Sequence, residues 1–281
     1  MRFILLFFIL LSFSFGIEDY KIKFYCITPN KLVIREFKDS NKTKFLIVNT
    51  KTLQTKIINY IPIISKCNQN NLYFKLLNQK PQLQNAGIIK TKNKIVLTTD
   101  LCPSSKKGFD KRIFTSIIQK YKNPVPVTIF ITLKWIKYHK KSFLMLKKWQ
   151  QEHKLNIIWG NHTATHPYKR GVPLNKNFVL IENYNLQKDV ITLEKYLIEN
   201  QITPSIFFRF PGLVSDKKTL NIIKQLGLIV IGSNSWLAKG EKIKSNSIIL
   251  IHANKNEEKG VDLFLKNLDK IDKLNPLYNS L

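Results

Sequence analysis

Acidic side chains are scarce in this chain: 18 Asp and Glu stand against 46 Lys and Arg, a formal charge of +28. A surface so short of carboxylates attracts anionic polymers, whether nucleic acid, acidic glycan or an anionic envelope. Heavy use of Lys, Asn and Ile throughout also fits compositional drift. Cysteine is sparse as well, with Cys26, Cys67 and Cys102 and no CxxC pair, which excludes a cysteine-rich zinc site. Cys26 and Cys67 can pair in an oxidising compartment, although sequence does not show that they meet. No internal repeat, low-complexity tail or nucleic-acid-binding motif is evident. The longest apolar run, Phe3 to Phe13 broken only by Ser12, is shorter than the about 20 residues a membrane span needs.

That run follows Arg2 and precedes Ser14-Phe15-Gly16, the pattern of a secretory signal peptide over residues 1–16. The expectation is a secreted or periplasmic protein of the cell envelope. Membrane association would come only through an uncleaved signal anchor. Export disfavours a nucleic-acid partner and favours an envelope glycan. With 281 residues the chain can bury the core of one large domain, or of a large and a small one.

Residues 17–90 read as a small β-rich region, with extended segments at 21–26, 44–48 and 55–61 and a linker over 78–85. No catalytic constellation occurs there. From Lys94 apolar runs alternate with helical spacing. Strands are predicted at 95–99, 125–131, 155–159, 205–209, 227–231 and 247–252. Helices are predicted at 111–121, 142–155, 186–199, 217–226 and 260–274. Alternation of this kind implies a parallel sheet, open or closed into a barrel. The stretch 134–141, with Trp135, Tyr138 and His139 among lysines, reads as a helix with a solvated face and its aromatics packed inward. Asp100, His162, Arg209 and His252 all follow strand-like runs, where a barrel of this kind places its active site. His162 and His166, four residues apart after Gly160-Asn161, would share one side of a helical turn and one metal ion.

Thr98-Thr99-Asp100, His162-x-x-x-His166, Arg209-Phe210-Pro211-Gly212, Asn234-Ser235-Trp236 and Leu250-Ile251-His252 follow one another in an order that resembles the polysaccharide deacetylases, the NodB-homology carbohydrate esterases. The likeness covers residues 91–281. It implies an α/β fold, a distorted (β/α) barrel of about seven parallel strands, behind the β-rich N-terminal region. It also implies a divalent metal, commonly zinc, and removal of N-acetyl groups from an amino sugar of peptidoglycan, exopolysaccharide or lipopolysaccharide. The partner would be an N-acetylated, anionic glycan. By the resemblance, His162 and His166 ligate the metal, Asp100 is the general base, Arg209 holds that carboxylate and His252 is the general acid. Pro211, Trp236 and Leu250 would line the substrate pocket. The chemistry agrees: amide hydrolysis needs an activated water, an electrophile on the carbonyl oxygen and a proton for the leaving amine.

Two positions depart from the family pattern. Leu101 stands where a second aspartate, a metal ligand, is usual. The ion would then be held by two histidines and water, or Asp100 would turn to it; Cys102 would point away if the strand alternation continued. Ser235 replaces an aspartate that pairs with the acid histidine, leaving His252 without that partner. A catalytically impaired glycan-binding protein on the same barrel is the alternative.

Overall fold

A computed structural model describes residues 16–60, 64–106 and 108–281. The expected leader lies outside the described residues apart from Gly16. No described helix is long and apolar enough to cross a membrane.

The N-terminal region forms an antiparallel four-stranded sheet in simple order: β1 (Glu18–Thr28), β2 (Lys31–Asp39), β3 (Lys42–Asn49) and β4 (Thr55–Ile58). Helix α1 (Leu72–Leu77) follows. Neither β2 nor α1 is expected from sequence, and the reason in β2 is physical. A register shift between Val33 and Arg35 breaks the alternation of the strand. Leu32, Ile34 and Phe37 pack on the large domain, and Arg35 is carried inward with them. Arg35 Nε and Nη2 donate to Glu194 Oε2 (2.8 Å) and Oε1 (3.0 Å), and Tyr20 Oη donates to Glu194 Oε2 at 2.8 Å. Both charges are almost fully buried. Cys26 and Cys67 are joined by a disulfide.

The second sheet has seven strands, all parallel, in the order β10-β11-β5-β6-β7-β8-β9. These are β5 (Val96–Leu101), β6 (Val125–Ile131), β7 (Leu155–Asn161), β8 (Phe207–Phe208), β9 (Ile229–Val230), β10 (Ser235–Trp236) and β11 (Ile248–Ile251). The helices are α2 (Arg112–Lys120), α3 (Leu133–Tyr138), α4 (Lys140–Gln151), α5 (Leu186–Glu199), α6 (Lys217–Gln225) and α7 (Glu258–Asn267). Trp135 of α3 is fully buried, as expected, whereas Tyr138 is exposed.

Chain length dictates the curl. β9 and β10 are the two edges of the sheet, yet only residues 231–234 separate them. Flat, seven strands at about 4.8 Å spacing would hold those edges about 29 Å apart. The chain from Val230 to Ser235 reaches at most about 18 Å. The sheet therefore wraps into a distorted barrel, as the resemblance implies. Residues 85–90 fill the seam: Ile88 bridges Ile231, Lys90 bridges Ser247, and the Asn85 side chain bonds Ser233 through both its amide nitrogen and its oxygen.

The buried Arg35–Glu194 pair ties the N-terminal sheet to α5. Glu194→Ala leaves a buried guanidinium unpaired and is expected to lower unfolding free energy by about 3–5 kcal/mol. Replacing both partners, Arg35→Met with Glu194→Leu, is expected to recover most of that. Urea denaturation of the wild type and both variants checks it; a Glu194→Ala change within about 1 kcal/mol of wild type would show that the pair does not anchor the sheet.

Candidate active site

Because the strands are parallel, their C-terminal ends share one rim. Asp100 lies near the end of β5, and His162, Arg209 and His252 each stand one residue beyond β7, β8 and β11. On β5, Thr98 and Asp100 point into the barrel while Leu97 and Leu101 point into the helix layer, packed with Ile113, Trp135 and Ile251. Leu101 therefore faces a dry apolar core, away from the position where a ligand would stand.

Arg209 is fully buried, and its donors are spent across the barrel. Nη1 donates to Asp100 Oδ1 (2.7 Å) and Thr98 Oγ1 (2.8 Å), Nη2 to the Gly232 carbonyl (2.9 Å) and Nε to the Ile231 carbonyl (3.2 Å). Its guanidinium lies 4.2 Å from the centre of the Phe130 ring. That ring fits because residue 160 is glycine; a Cβ there would come within 2.6 Å of it. Burial alone would raise the Asp100 carboxyl, but the charge of Arg209, followed by those of His162 and His252, outweighs it and holds the carboxyl below its usual value.

The two histidines do converge, but not on a helical turn. Residues 162–166 form a loop in which Thr163 (φ 70°) and His166 (φ 46°) adopt left-handed backbone. Such conformations carry strain and persist where the surroundings hold them. Here Asn161 Oδ1 accepts from the Thr163 amide (2.9 Å), Thr163 Oγ1 from the His166 amide (3.1 Å) and Asp189 Oδ2 from the Thr165 amide (3.0 Å). The rings of His162 and His166 end 4.9 Å apart. His162 Nδ1 pairs with the Arg209 carbonyl at 2.8 Å; as donor there, it leaves the Nε2 lone pair facing the hollow. The ring of Phe178 stands edge-on to His166 and occupies the space a Cβ at Gly212 would need, 2.4 Å away. With φ at +65°, Gly212 also has a backbone that favours glycine.

Cys102 departs from expectation. The strand ends at Leu101, so alternation no longer governs the next residue, and Cys102 turns inward to place Sγ 3.5 Å from His162 Nε2. Asn254 Nδ2, from the loop after β11, donates to the Cys102 carbonyl (3.0 Å) and fixes that turn. Burial opposes the thiolate, yet His166 and His162 outweigh it and hold the thiol well below its usual range. Donor atoms of Cys102, His162 and His166 all lie within 4.8 Å of one another. His166 Nε2 is buried with no hydrogen-bond partner among the described residues. Nitrogen and sulfur donors at this spacing fit a divalent metal ion.

His252 is not left alone. Ser235 Oγ bonds the Lys242 carbonyl, but Glu257, just before α7, brings Oε2 to 2.7 Å from His252 Nδ1. The same oxygen accepts from Trp236 Nε1 at 2.9 Å. Burial would lower His252; Cys102, Glu257 and Asp100 together raise it well above its ordinary value. Glu257 was not singled out from sequence, since it lies in an irregular loop five residues after His252 and carries no periodic signal.

These groups surround a hollow of about 490 Å³ walled by Trp236, Leu250, Tyr168, Phe178, Gly212 and Leu213, with Asp100, His162, His166 and His252 exposed to it. Pro211 lies buried just behind Gly212.

The chain resembles several solved structures. A family 4 carbohydrate esterase from Bacillus anthracis is 25% identical, covering 72% of this chain and 92% of that one, with a TM-score of 0.45. PdaA, a family 4 carbohydrate esterase from Bacillus subtilis, is 16% identical over 79% of this chain and 88% of that one, TM-score 0.47. BA3943 of Bacillus anthracis, described as a pseudoenzyme of the same family, is 14% identical over 92% of this chain and 87% of that one, TM-score 0.46. The family profile for polysaccharide deacetylase matches residues 88–231, just over half of the chain. The chain belongs to the polysaccharide deacetylase family, hydrolases that cleave the amide bond of N-acetylated glycans.

Proposed function

We propose that this chain is an exported, divalent-metal-dependent deacetylase that removes acetyl groups from an N-acetylated amino sugar of an anionic envelope polysaccharide. The observation that carries the proposal is the convergence of Asp100, His162, His166 and His252 on one hollow at the C-terminal rim of the barrel. Export is supported by the N-terminal sequence pattern and by the Cys26–Cys67 disulfide. An anionic glycan is supported by the formal charge of +28.

His162 and His166 would hold the metal, which when bound supplies electrophilic polarisation of the amide carbonyl and acidifies water. Asp100 has one oxygen engaged by Arg209 and the other facing the hollow, so it stays ionised and takes the proton of the attacking water. His252, its pKa raised well above the ordinary value by Cys102, Glu257 and Asp100, delivers a proton to the departing amine nitrogen. Leu250 and the indole of Trp236 give the acetyl methyl an apolar seat, with Trp236 held by its bond to Glu257.

The decisive experiment is acetate release from N-acetylated chitooligosaccharides and peptidoglycan, before and after chelation. Release that is lost on chelation and restored by zinc is expected; glycan retention without acetate release under all metals would favour the binding-only alternative.

Asp100→Asn should keep its metal and lower turnover by about 10²–10⁴-fold, the usual contribution of a positioned base. Loss of metal from this variant, measured by elemental analysis, would instead make Asp100 a ligand.

Glu257→Gln should lower kcat by about 10- to 100-fold with little change in KM, since it removes a group that orients the acid and leaves the pocket walls in place. Glu257→Asp should recover part of the loss. An unchanged kcat in Glu257→Gln would remove Glu257 from the machinery.

A further inference from the structure

We infer that Cys102 is the third protein ligand of the metal centre, bound as thiolate beside His162 and His166, and that this makes the site selective for zinc-like ions and leaves Asp100 outside the coordination shell. The inference rests on the metal-dependent reading above.

Three observations carry it. The first is spacing. A tetrahedral ion with metal–sulfur and metal–nitrogen bonds of about 2.3 and 2.1 Å sets its sulfur and nitrogen donors about 3.6 Å apart. Cys102 Sγ and His162 Nε2 stand 3.5 Å apart, and no donor pair in the trio exceeds 4.8 Å. The second is orientation. His162 Nδ1 is taken up by the Arg209 carbonyl, so its Nε2 is the free ligating atom, and that atom faces Sγ. His166 Nε2 is buried without a hydrogen-bond partner among the described residues. The third is the competing carboxylate. Asp100 is held by Arg209 through Oδ1, and although its Oδ2 lies 3.7 Å from His162 Nε2, it does not join the group whose donor atoms are all within 4.8 Å of one another. Leu101 cannot serve, because it points into the helix layer.

Binding is balanced as a proton exchange: the thiol Sγ–H bond breaks, an Sγ–metal bond forms and one proton leaves to solvent. A thiolate with two imidazoles favours ions of borderline softness such as zinc and cobalt. A carboxylate in that place would better suit magnesium or manganese. Two histidines and one thiolate fill three positions and leave a fourth open, as a catalytic centre requires.

The test uses the purified, disulfide-intact chain stripped with chelator and titrated with Co²⁺. The expected result is a sulfur-to-cobalt charge-transfer band in the near ultraviolet that saturates at one equivalent and is missing in Cys102→Ser. One equivalent of Zn²⁺ should protect the single free thiol of the wild type from iodoacetamide. Cys102→Ser should bind zinc at least about tenfold more weakly. Cys102→Asp should regain affinity without the band and shift preference towards manganese. Cobalt bound without the band, together with alkylation that zinc does not slow, would overturn the inference and leave the metal-dependent reading standing. A wild type that binds neither cobalt nor zinc would overturn both. The alkylation arm needs no variant, so a Cys102 substitution that fails to fold leaves the question answerable.

Discussion

A guanidinium buried at the centre of the barrel constrains everything at its catalytic rim. Arg209 has no access to solvent, and an unpaired charge in such a place would be intolerable. Its charge is therefore matched by the Asp100 carboxylate and its remaining donors by the Thr98 hydroxyl and by carbonyls of Ile231 and Gly232. Those acceptors come from β5 and from the crossing between the two sheet edges, so one side chain fixes the Asp100 carboxylate and draws the barrel seam together. Its own backbone carbonyl then sets the orientation of His162. Gly160 makes room for the Phe130 ring against which the guanidinium lies. Placement of Asp100 and His162 thus follows from solvating a single buried cation.

Around that fixed centre Cys102 and Glu257 stand at positions to which the family resemblance assigns no role. Leu101 and Ser235 interrupt the family pattern, yet a thiol stands beside His162 and a carboxylate stands beside His252. Cys102 reaches inward because the strand has ended, and Glu257 reaches back because α7 begins beside the rim. Glu257 also holds the Trp236 indole, joining His252 to a wall of the hollow. On the proposed reading the chemistry offered would change: sulfur would serve in place of a hard oxygen donor, and a longer carboxylate would arrive from a loop.

Much of the barrel was legible in sequence. The helix predicted at 186–199 coincides with α5, and the strand at 125–131 with β6, because long apolar periodicities bounded by polar residues admit few alternatives. β2 is missing from the expected strands because Arg35 and Glu36 interrupt its apolar run; a bulge and a buried partner 159 residues away account for the arginine. Residue types at the rim were equally plain, since Asp100, His162, Arg209 and His252 each follow a strand-like run and His166 stands four residues after His162. By itself, then, the sequence determined the alternation of strand and helix and part of the chemical inventory of the rim, without Glu257 or the inward Cys102. Only the tertiary structure decided which of those groups meet. The left-handed loop at Thr163 and His166, the inward turn of Cys102 and the approach of Glu257 all occur where regular secondary structure stops. There, side-chain direction is set by distant partners such as Asp189 and Asn254, which no local periodicity encodes.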